Sequence, residues 1–261
     1  MDKKWLDPRI IAIREKMKAI DKVLLIASGK GGVGKSVFSA STALAYVNKG
    51  FKVGILDLDL HGPVIPTILG VHDVMPSESK EGLVPPRING IEMMSLALFV
   101  ENNPLPLRLS SRTEAILELL AITKWSRLDR LVIDLPPGTG DEVLTTIRLL
   151  KDKALAIVIT TPSKVAIATV KRLIILLKEL KVNILGIVEN MSRLAQGDVE
   201  LEVFRGTSIK ELADENGVEY LGDIPIDPML ENAIGDPGLI MSTRFFHQVS
   251  KIVDRIEELI S

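Results

Sequence analysis

The chain of 261 residues contains no cysteine. It therefore cannot form disulfides, supply a thiolate to a metal or use a cysteine nucleophile. It has three histidines, His61, His72 and His247, and their positions do not have the spacing of a zinc site. His61 follows an aspartate-rich turn and is expected to be a turn residue.

Long apolar runs are also missing, and the first residues are charged rather than signal-like. We therefore expect a cytoplasmic protein. With 32 basic and 34 acidic residues, the net charge is -2, so we do not expect nucleic acid or a membrane as the main partner.

The chain is 46% hydrophobic, which suits a substantial core. We predict one domain over residues 21–261. Asp7 and Pro8 resemble an N-cap and a first helical residue, which predicts that residues 1–20 contribute a helix packed on that domain.

The most informative stretch runs from Ser28 to Ser36. Gly29, Gly34, Lys35 and Ser36 have P-loop spacing, in which backbone N–H groups surround phosphates, the lysine reaches the outer phosphates and the hydroxyl ligates Mg²⁺. An apolar run precedes the loop and a helical pattern follows it. The predicted nucleotide-binding residues of the loop are Gly29, Lys30, Gly31, Gly32, Val33, Gly34, Lys35, Ser36 and Val37.

A dinucleotide fingerprint is the alternative interpretation of the same glycines. Gly29, Gly31 and Gly34 have its spacing, and Asp57 or Asp59 could be its ribose-binding acid. That interpretation gives Lys35 and Ser36 no role, so the triphosphate site is favoured.

Strands and helices alternate along the chain, and the strands are almost continuously apolar. This pattern predicts an α/β fold, a three-layer, doubly wound, mostly parallel sheet with helices on both faces. Ligands of such sheets bind at the carboxyl ends of the strands, where Asp57, Asp134 and Asn190 fall. The segment 71–90 shows no period and is predicted to be a surface excursion, and residues 191–207 are predicted to be irregular.

Phosphoryl transfer requires positioning and charge neutralisation. We expect Ser36 and Asp134 to hold Mg²⁺, with Asp57 close behind them, and Lys35 to bind the phosphates of ATP. Asp59 is the candidate for orienting the attacking water. Asp141 is expected to cap the helix that follows the Pro-Pro-Gly-Thr-Gly turn.

With these residues in place, the sequence resembles the Mrp-type iron-sulfur cluster carrier ATPases of the MinD and ParA class. The resemblance extends over nearly the whole chain and implies a P-loop NTPase fold with a deviant Walker A motif. It depends on the loop Ser28 to Ser36 and on the runs Ile55 to Pro63, Val132 to Asp141, Thr160 to Pro162, Gly186 to Ser192 and Ile224 to Pro228.

The resemblance implies a homodimer that sandwiches ATP between its subunits. In that dimer Lys30 would reach the nucleotide of the other subunit, as an arginine finger does. Asn190 and the loop Pro225, Ile226 and Asp227 would contact adenine. Iron-sulfur assembly proteins or apoprotein clients would be its partners.

Two departures from the family are visible. The carriers have a Cys-x-x-Cys pair shortly after the Asn-Met-Ser run, where this chain has Arg193 to Asp198. Because cluster iron prefers thiolates, we do not expect this chain alone to hold an iron-sulfur cluster. Val37 also stands where the wider class often has a second hydroxyl residue.

Three functions remain open from the sequence. The first is an ATP-hydrolysing dimeric switch linked to iron-sulfur assembly that lacks its own cluster ligands. The second is a MinD- or ParA-like positioning ATPase, and the third is an adaptor that binds ATP without hydrolysing it. A membrane-positioning protein would end in a basic amphipathic helix, but the polar face of the C-terminal helix is acidic in its second half.

Overall fold

A computed structural model describes residues 7–60, 62–100, 111–196, 199–201, 203 and 208–261. The strands are β1 Ile20–Ala27, β2 Val53–Asp57, β3 Ser77–Ser79, β4 Gly82–Val84, β5 Arg87–Ile88, β6 Ile91–Ser95, β7 Leu128–Asp134, β8 Ala154–Thr160, β9 Asn183–Gln196, β10 Val199–Leu201 and β11 Tyr220–Ile226. The helices are α1 Pro8–Met17, α2 Lys35–Asn48, α3 Ile65–Ile68, α4 Ala97–Val100, α5 Arg112–Ile122, α6 Asp141–Leu150, α7 Lys164–Glu179, α8 Ile209–Glu215, α9 Met229–Ala233, α10 Pro237–Ser242 and α11 Arg244–Ile260.

One sheet organises the domain, in the order β10-β9-β8-β1-β7-β2-β6-β5, with β11 also paired to β9. The strands from β9 to β6 in this order, and β11, are parallel, whereas β5 and β10 join their neighbours antiparallel. All five residues of β2 are buried, as are the last five of β1, so both faces of the sheet are covered. The predicted doubly wound, mostly parallel fold is confirmed.

The helices begin where short polar side chains satisfy their free N–H groups. Asp7 accepts from Arg9 N at the start of α1, and Ser111, Ser163, Ser208 and Thr243 cap α5, α7, α8 and α11 in the same way. Helix α1 packs against α5 and buries Ile13 and Met17. It ends at Met17, earlier than predicted, because Ile20 already belongs to β1. Residues 1–6 of the predicted terminal segment lie outside the described residues.

Two local predictions were wrong and one was incomplete. The segment 71–90 lies largely at the surface, as predicted, but it contains the hairpin β3–β4 and the strand β5, and a hydrogen bond from Lys124 N to Leu83 O helps to fix its fold. Strand β9 continues to Gln196, although irregular structure was predicted from residue 191, because β10 and β11 pair with its second half. Gly140, not Asp141, is the N-cap of α6, and Asp141 is the first helical residue.

None of the helices within the described residues is both long enough and apolar enough to cross a membrane.

Candidate nucleotide-binding site

The loop between β1 and α2 contains two glycines, Gly29 and Gly34, that no other residue could replace without strain. Gly34 has φ of +83°, and a Cβ there would lie 2.2 Å from Asn190 Nδ2. A Cβ at Gly29 would lie 2.6 Å from the backbone of Thr169. The backbone of the loop therefore packs closely against Thr169 of α7 on one side and Asn190 of β9 on the other.

Helix α2 supplies an anion-binding end to this loop. Its N-cap, Gly34, has no side chain, so no side chain caps the first turn. The free N–H groups and the positive end of the helix dipole both favour a phosphate at this point. The site lies at the carboxyl end of β1, where the sequence predicted it.

Asp134, the last residue of β7, is the centre of the polar network below the loop. It is fully buried, and Lys35 Nζ lies 2.8 Å from its Oδ1. Ser36 Oγ donates to Oδ2 at 2.6 Å. The three residues that the sequence assigned to phosphate and Mg²⁺ are thus in mutual contact.

The ammonium of Lys35 is buried but makes no hydrogen bond with any residue in the described part of the chain. Its approach to Asp134 is an ion pair without hydrogen-bond geometry. A buried ammonium with unsatisfied protons is costly, and phosphate oxygens would satisfy it. A buried ammonium whose one described partner is a single carboxylate is the clearest sign that the loop is built for an anionic ligand.

Ser39 is a member of this network that the sequence analysis missed. It is fully buried, and its Oγ lies 2.7 Å from Asp134 Oδ1 and 3.0 Å from the carbonyl of Lys35. Residues three and four apart share a helix face. A serine three positions after Ser36 could therefore have been noticed in the sequence.

Asp57 lies beside Asp134, because the two are register partners at the ends of β2 and β7. Its carboxylate accepts from Asp59 N at 3.1 Å, Ile65 N at 3.3 Å and Ser95 Oγ at 3.1 Å. Burial, followed by the negative charge of Asp134, raises the pKa of Asp57 to about 7. Ser95, at the end of β6, is a second polar residue that sequence analysis missed.

Lys30 and Asp59 lie at the mouth of the site. Both line an open pocket of about 190 Å³, together with residues of the loop and Pro137. Lys30 is half-buried, and its ammonium forms no ion pair with the residues whose positions are described. It is thus available to a ligand or to another protein chain. His61, two residues after Asp59, lies outside the described residues.

The turn after β7 is attached to the phosphate loop. Gly138 N donates to Ser28 O at 2.9 Å, and Leu58 N donates to Asp134 O at 3.0 Å. The segments that follow β1, β2 and β7 are therefore linked by backbone hydrogen bonds. A displacement of one of these segments would therefore shift the others.

Asn190 supports the loop from β9. It is buried, and its Nδ2 donates to the carbonyl of Val33 at 2.8 Å. Its predicted contact with adenine stays a prediction.

Pro225 and Ile226 end β11, and together with Asp227, the next residue, they line a larger cavity of about 770 Å³. Both carboxylate oxygens of Asp227 accept backbone hydrogen bonds, from Met229 N at 3.0 Å and from Phe245 N at 3.1 Å. The remaining lining comes from Arg193 and from residues of and beside the helices α9, α10 and α11. The cavity can accommodate a planar base, but the carboxylate of Asp227 is already engaged.

The segment 193–198, where the resemblance implies a cysteine pair in the carriers, begins within the second half of β9. There Arg193 pairs with Asp223 of β11, and Ser192 Oγ donates to the same carboxylate at 2.7 Å. Tyr220 OH donates to Glu189 at 2.9 Å, while burial raises the pKa of Glu189. An ion pair and hydrogen bonds thus join β9 to β11 at and just before this segment. Residues 197 and 198 lie outside the described residues.

Comparison with known proteins places this geometry in a family. The model of the NUBPL iron-transfer P-loop NTPase family, of the ParA group, matches residues 19–260. The chain belongs to this family. The predicted resemblance to iron-sulfur carrier NTPases is confirmed.

Curated relatives agree with this assignment. The iron-sulfur cluster carrier protein of Methanocaldococcus jannaschii is 38% identical over 98% of this chain and 91% of its own length. The cytosolic Fe-S cluster assembly factor CFD1 of Kluyveromyces lactis is 38% identical over 85% of this chain and 82% of its own length.

Solved structures agree as well. A nucleotide-binding protein from Archaeoglobus fulgidus in complex with ADP aligns with a TM-score of 0.76 and 35% identity, covering 89% of this chain and 93% of its own. The cell division ATPase MinD of Pyrococcus furiosus aligns with a TM-score of 0.66 at 22% identity, covering 92% and 99%. The likeness to MinD concerns the fold alone.

Proposed function

We propose that this protein is a Mg²⁺-dependent ATPase that acts as a dimeric switch in iron-sulfur cluster assembly or transfer, without cysteine ligands of its own. The observation that carries the proposal is the buried Lys35 ammonium, which has an ion-pair partner but no hydrogen bond in the described structure. The ADP bound to the similar A. fulgidus protein supports the choice of an adenine nucleotide.

The oxygen donors around Asp134 fit Mg²⁺. The ion prefers oxygen ligands and retains several waters, so one hydroxyl and one or two carboxylates are sufficient. Ser36 would ligate the ion, Asp134 would hold it directly or through water, and Asp57 would lie beside them. When bound, the ion neutralises charge on the β- and γ-phosphate oxygens.

Phosphate binding, orientation of the attacking water and binding of adenine are the roles of residues of this chain. Backbone N–H groups of residues 29–37 bind the phosphates, and Lys35 donates to the outer ones. Asp59 orients the attacking water, and Lys30 of one subunit neutralises charge on the γ-phosphate held by the other. Asn190 and the segment 225–227 receive the adenine, with the 770 Å³ cavity beside that segment providing the space.

This chain lacks the thiolate ligands that usually bind an iron-sulfur cluster, the cargo of the carriers that it resembles. With no cysteine in 261 residues, it offers no thiolate to iron. Groups of three or more histidine, aspartate or glutamate residues able to hold a metal are also absent from the described residues. The protein therefore regulates a carrier or borrows thiolates from a partner.

A membrane-positioning function has less support. The apolar stripe of α11, which includes Phe245, Phe246, Val249 and Ile252, is buried against α2 and β11. It is not free to enter a lipid surface. The switch function is therefore assigned to the nucleotide site and not to the apolar stripe of α11.

The test measures ATP binding and phosphate release with and without Mg²⁺ for the wild type and for Lys35→Ala. We expect the wild type to bind and hydrolyse Mg-ATP, and we expect Lys35→Ala to lose binding. Binding without any turnover would favour the non-hydrolysing adaptor.

The cargo is tested separately by anaerobic reconstitution with iron and sulfide, with free thiols removed. We expect the pure protein to gain no visible absorption of a cluster and no stoichiometric iron. A stoichiometric cluster would contradict the argument from the missing cysteines and would leave the ATPase proposal intact.

A further inference from the structure

The carboxylate of Asp134 has three side-chain partners in the described structure, and two of them have further roles in the proposed function. Lys35 and Ser36 contact it at 2.8 and 2.6 Å. Under the proposed function, Lys35 Nζ donates to phosphate and Ser36 Oγ ligates Mg²⁺ once nucleotide is bound. Ser39 is the third partner, at 2.7 Å, and has no such second role.

We infer that Ser39 is the positioning residue that holds Asp134 in its metal-binding orientation while Lys35 donates to the nucleotide and Ser36 also ligates the metal. The inference depends on the proposed Mg²⁺ site and adds a residue to it. Ser39 touches neither nucleotide nor metal in this scheme. It acts through the carboxylate alone.

The single hydroxyl proton of Ser39 has two acceptors within reach, Asp134 Oδ1 and the carbonyl of Lys35 at 3.0 Å. The carbonyl lies inside α2, where the helical hydrogen-bond pattern already supplies it with a donor. A hydrogen bond to a carboxylate is also about twice as strong as one to a neutral acceptor. The proton therefore points to Asp134.

The surroundings make this contact hard to replace. Ser39 and Asp134 are both fully buried, so bulk solvent does not reach their contact. Among the described residues, Ser36 and Ser39 are the side chains that donate hydrogen bonds to Asp134. Without Ser39, the Oδ1 atom of the carboxylate would lose its hydroxyl donor, and the rotamer would depend on Ser36, which also ligates the metal under the proposed function.

The chain offers a matched control in the same helix. Ser41 is also fully buried, but its Oγ has no hydrogen-bond partner within the described residues. Ser39→Ala and Ser41→Ala thus delete the same atom from the same helix at equal burial. They differ in whether that atom holds Asp134.

The experiment titrates Mg²⁺ against binding of a fluorescent ATP analogue to the wild type, Ser39→Ala, Ser41→Ala and Ser39→Thr. We expect Ser39→Ala to require roughly tenfold more Mg²⁺ for half-maximal binding, the size of effect typical for loss of a hydrogen bond to a charged group. Binding of the analogue without Mg²⁺ should not change. Ser41→Ala should match the wild type, and Ser39→Thr, which keeps the hydroxyl, should remain close to it.

Identical Mg²⁺ curves for the two alanine variants would overturn the role of Ser39 and leave the proposed function standing. Equal loss of binding with and without Mg²⁺ in Ser39→Ala would also overturn it, because the loop itself would then be damaged. A wild type that binds no nucleotide at all would overturn the proposed function instead. Thermal unfolding of each variant shows whether the fold is intact.

Discussion

At Gly34 two independent constraints meet in one residue. Its φ of +83° is left-handed, which disfavours any side chain, and Asn190 Nδ2 occupies the place where a Cβ would lie, 2.2 Å away. Gly50, just after α2, has almost the same φ of +85° but no atom within 4 Å of its Cβ position. Alanine substitutions at the two glycines therefore separate the free-energy cost of a left-handed backbone from the cost of a steric clash.

We predict that Gly50→Ala lowers the free energy of unfolding by about 1 kcal/mol through backbone strain alone and leaves ATP affinity unchanged. Gly34→Ala pays the same strain and also displaces Asn190 from Val33 O, so its ATP affinity should fall by more than tenfold. Denaturant unfolding and equilibrium binding measure the two quantities. Equal ATP affinity in both variants would contradict the steric argument.

At the scale of elements, the carboxylate of Asp227 joins the end of β11 to the start of α11. It accepts from Met229 N and Phe245 N, and residues from both sides of this junction line the 770 Å³ cavity. Asp236 makes two similar backbone contacts, with Gly238 N and Leu239 N, at the start of α10. It does not line that cavity.

We predict that Asp227→Ala and Asp236→Ala each lower the free energy of unfolding by about 1 kcal/mol, as loss of a helix cap does. Asp227→Ala should also weaken ATP binding, because it loosens the segment 225–227 proposed to receive adenine. The same pair of assays distinguishes them. If both variants bound ATP as tightly as the wild type, the base would have to lie elsewhere.

The elements themselves divide into those that local pattern determines and those that it does not. β8 is a continuous apolar run and α11 carries a regular apolar stripe, and each pattern favours the type of element that the structure has there. The second half of β9 has no such run. Its extended form comes from pairing with β10 and β11, which no window of the sequence contains.

For the whole molecule, the important question is whether a second copy completes the site. Lys30 lines the mouth of the nucleotide pocket, and no carboxylate of the described residues pairs with it. A lysine in that position can serve the bound nucleotide of its own chain or that of a partner. The resemblance to the carrier ATPases favours the partner.

We predict that Lys30→Ala lowers ATP turnover by about 10³-fold or more, as removal of an arginine finger does, without loss of ATP binding. Lys52 is an exposed lysine just before β2, at the end of that strand away from Asp57, and it provides the control. Lys52→Ala should leave ATP turnover unchanged. Steady-state phosphate release measures the turnover of both variants.

Mixing two inactive variants decides between action in cis and in trans. A mixed dimer of Lys30→Ala and Asp59→Ala subunits would contain one complete site if Lys30 acts across the interface. Random pairing in a two-fold dimer should then restore about a quarter of wild-type turnover. No recovery on mixing, with mixed dimers shown to form, would place Lys30 in cis.

The sequence by itself determined the phosphate loop, the strands that end in Asp57 and Asp134, the doubly wound class of fold and the absence of thiolates. Each of these follows from residue identity, short-range spacing or a local pattern. Only the tertiary structure decided that Ser39 and Ser95 reach those carboxylates, that Asn190 holds Val33, and that Arg193 pairs with Asp223. These contacts join residues far apart in the chain, and they form because neighbouring strands pair in register and because α2 and the phosphate loop pack against the sheet, rather than through any local preference.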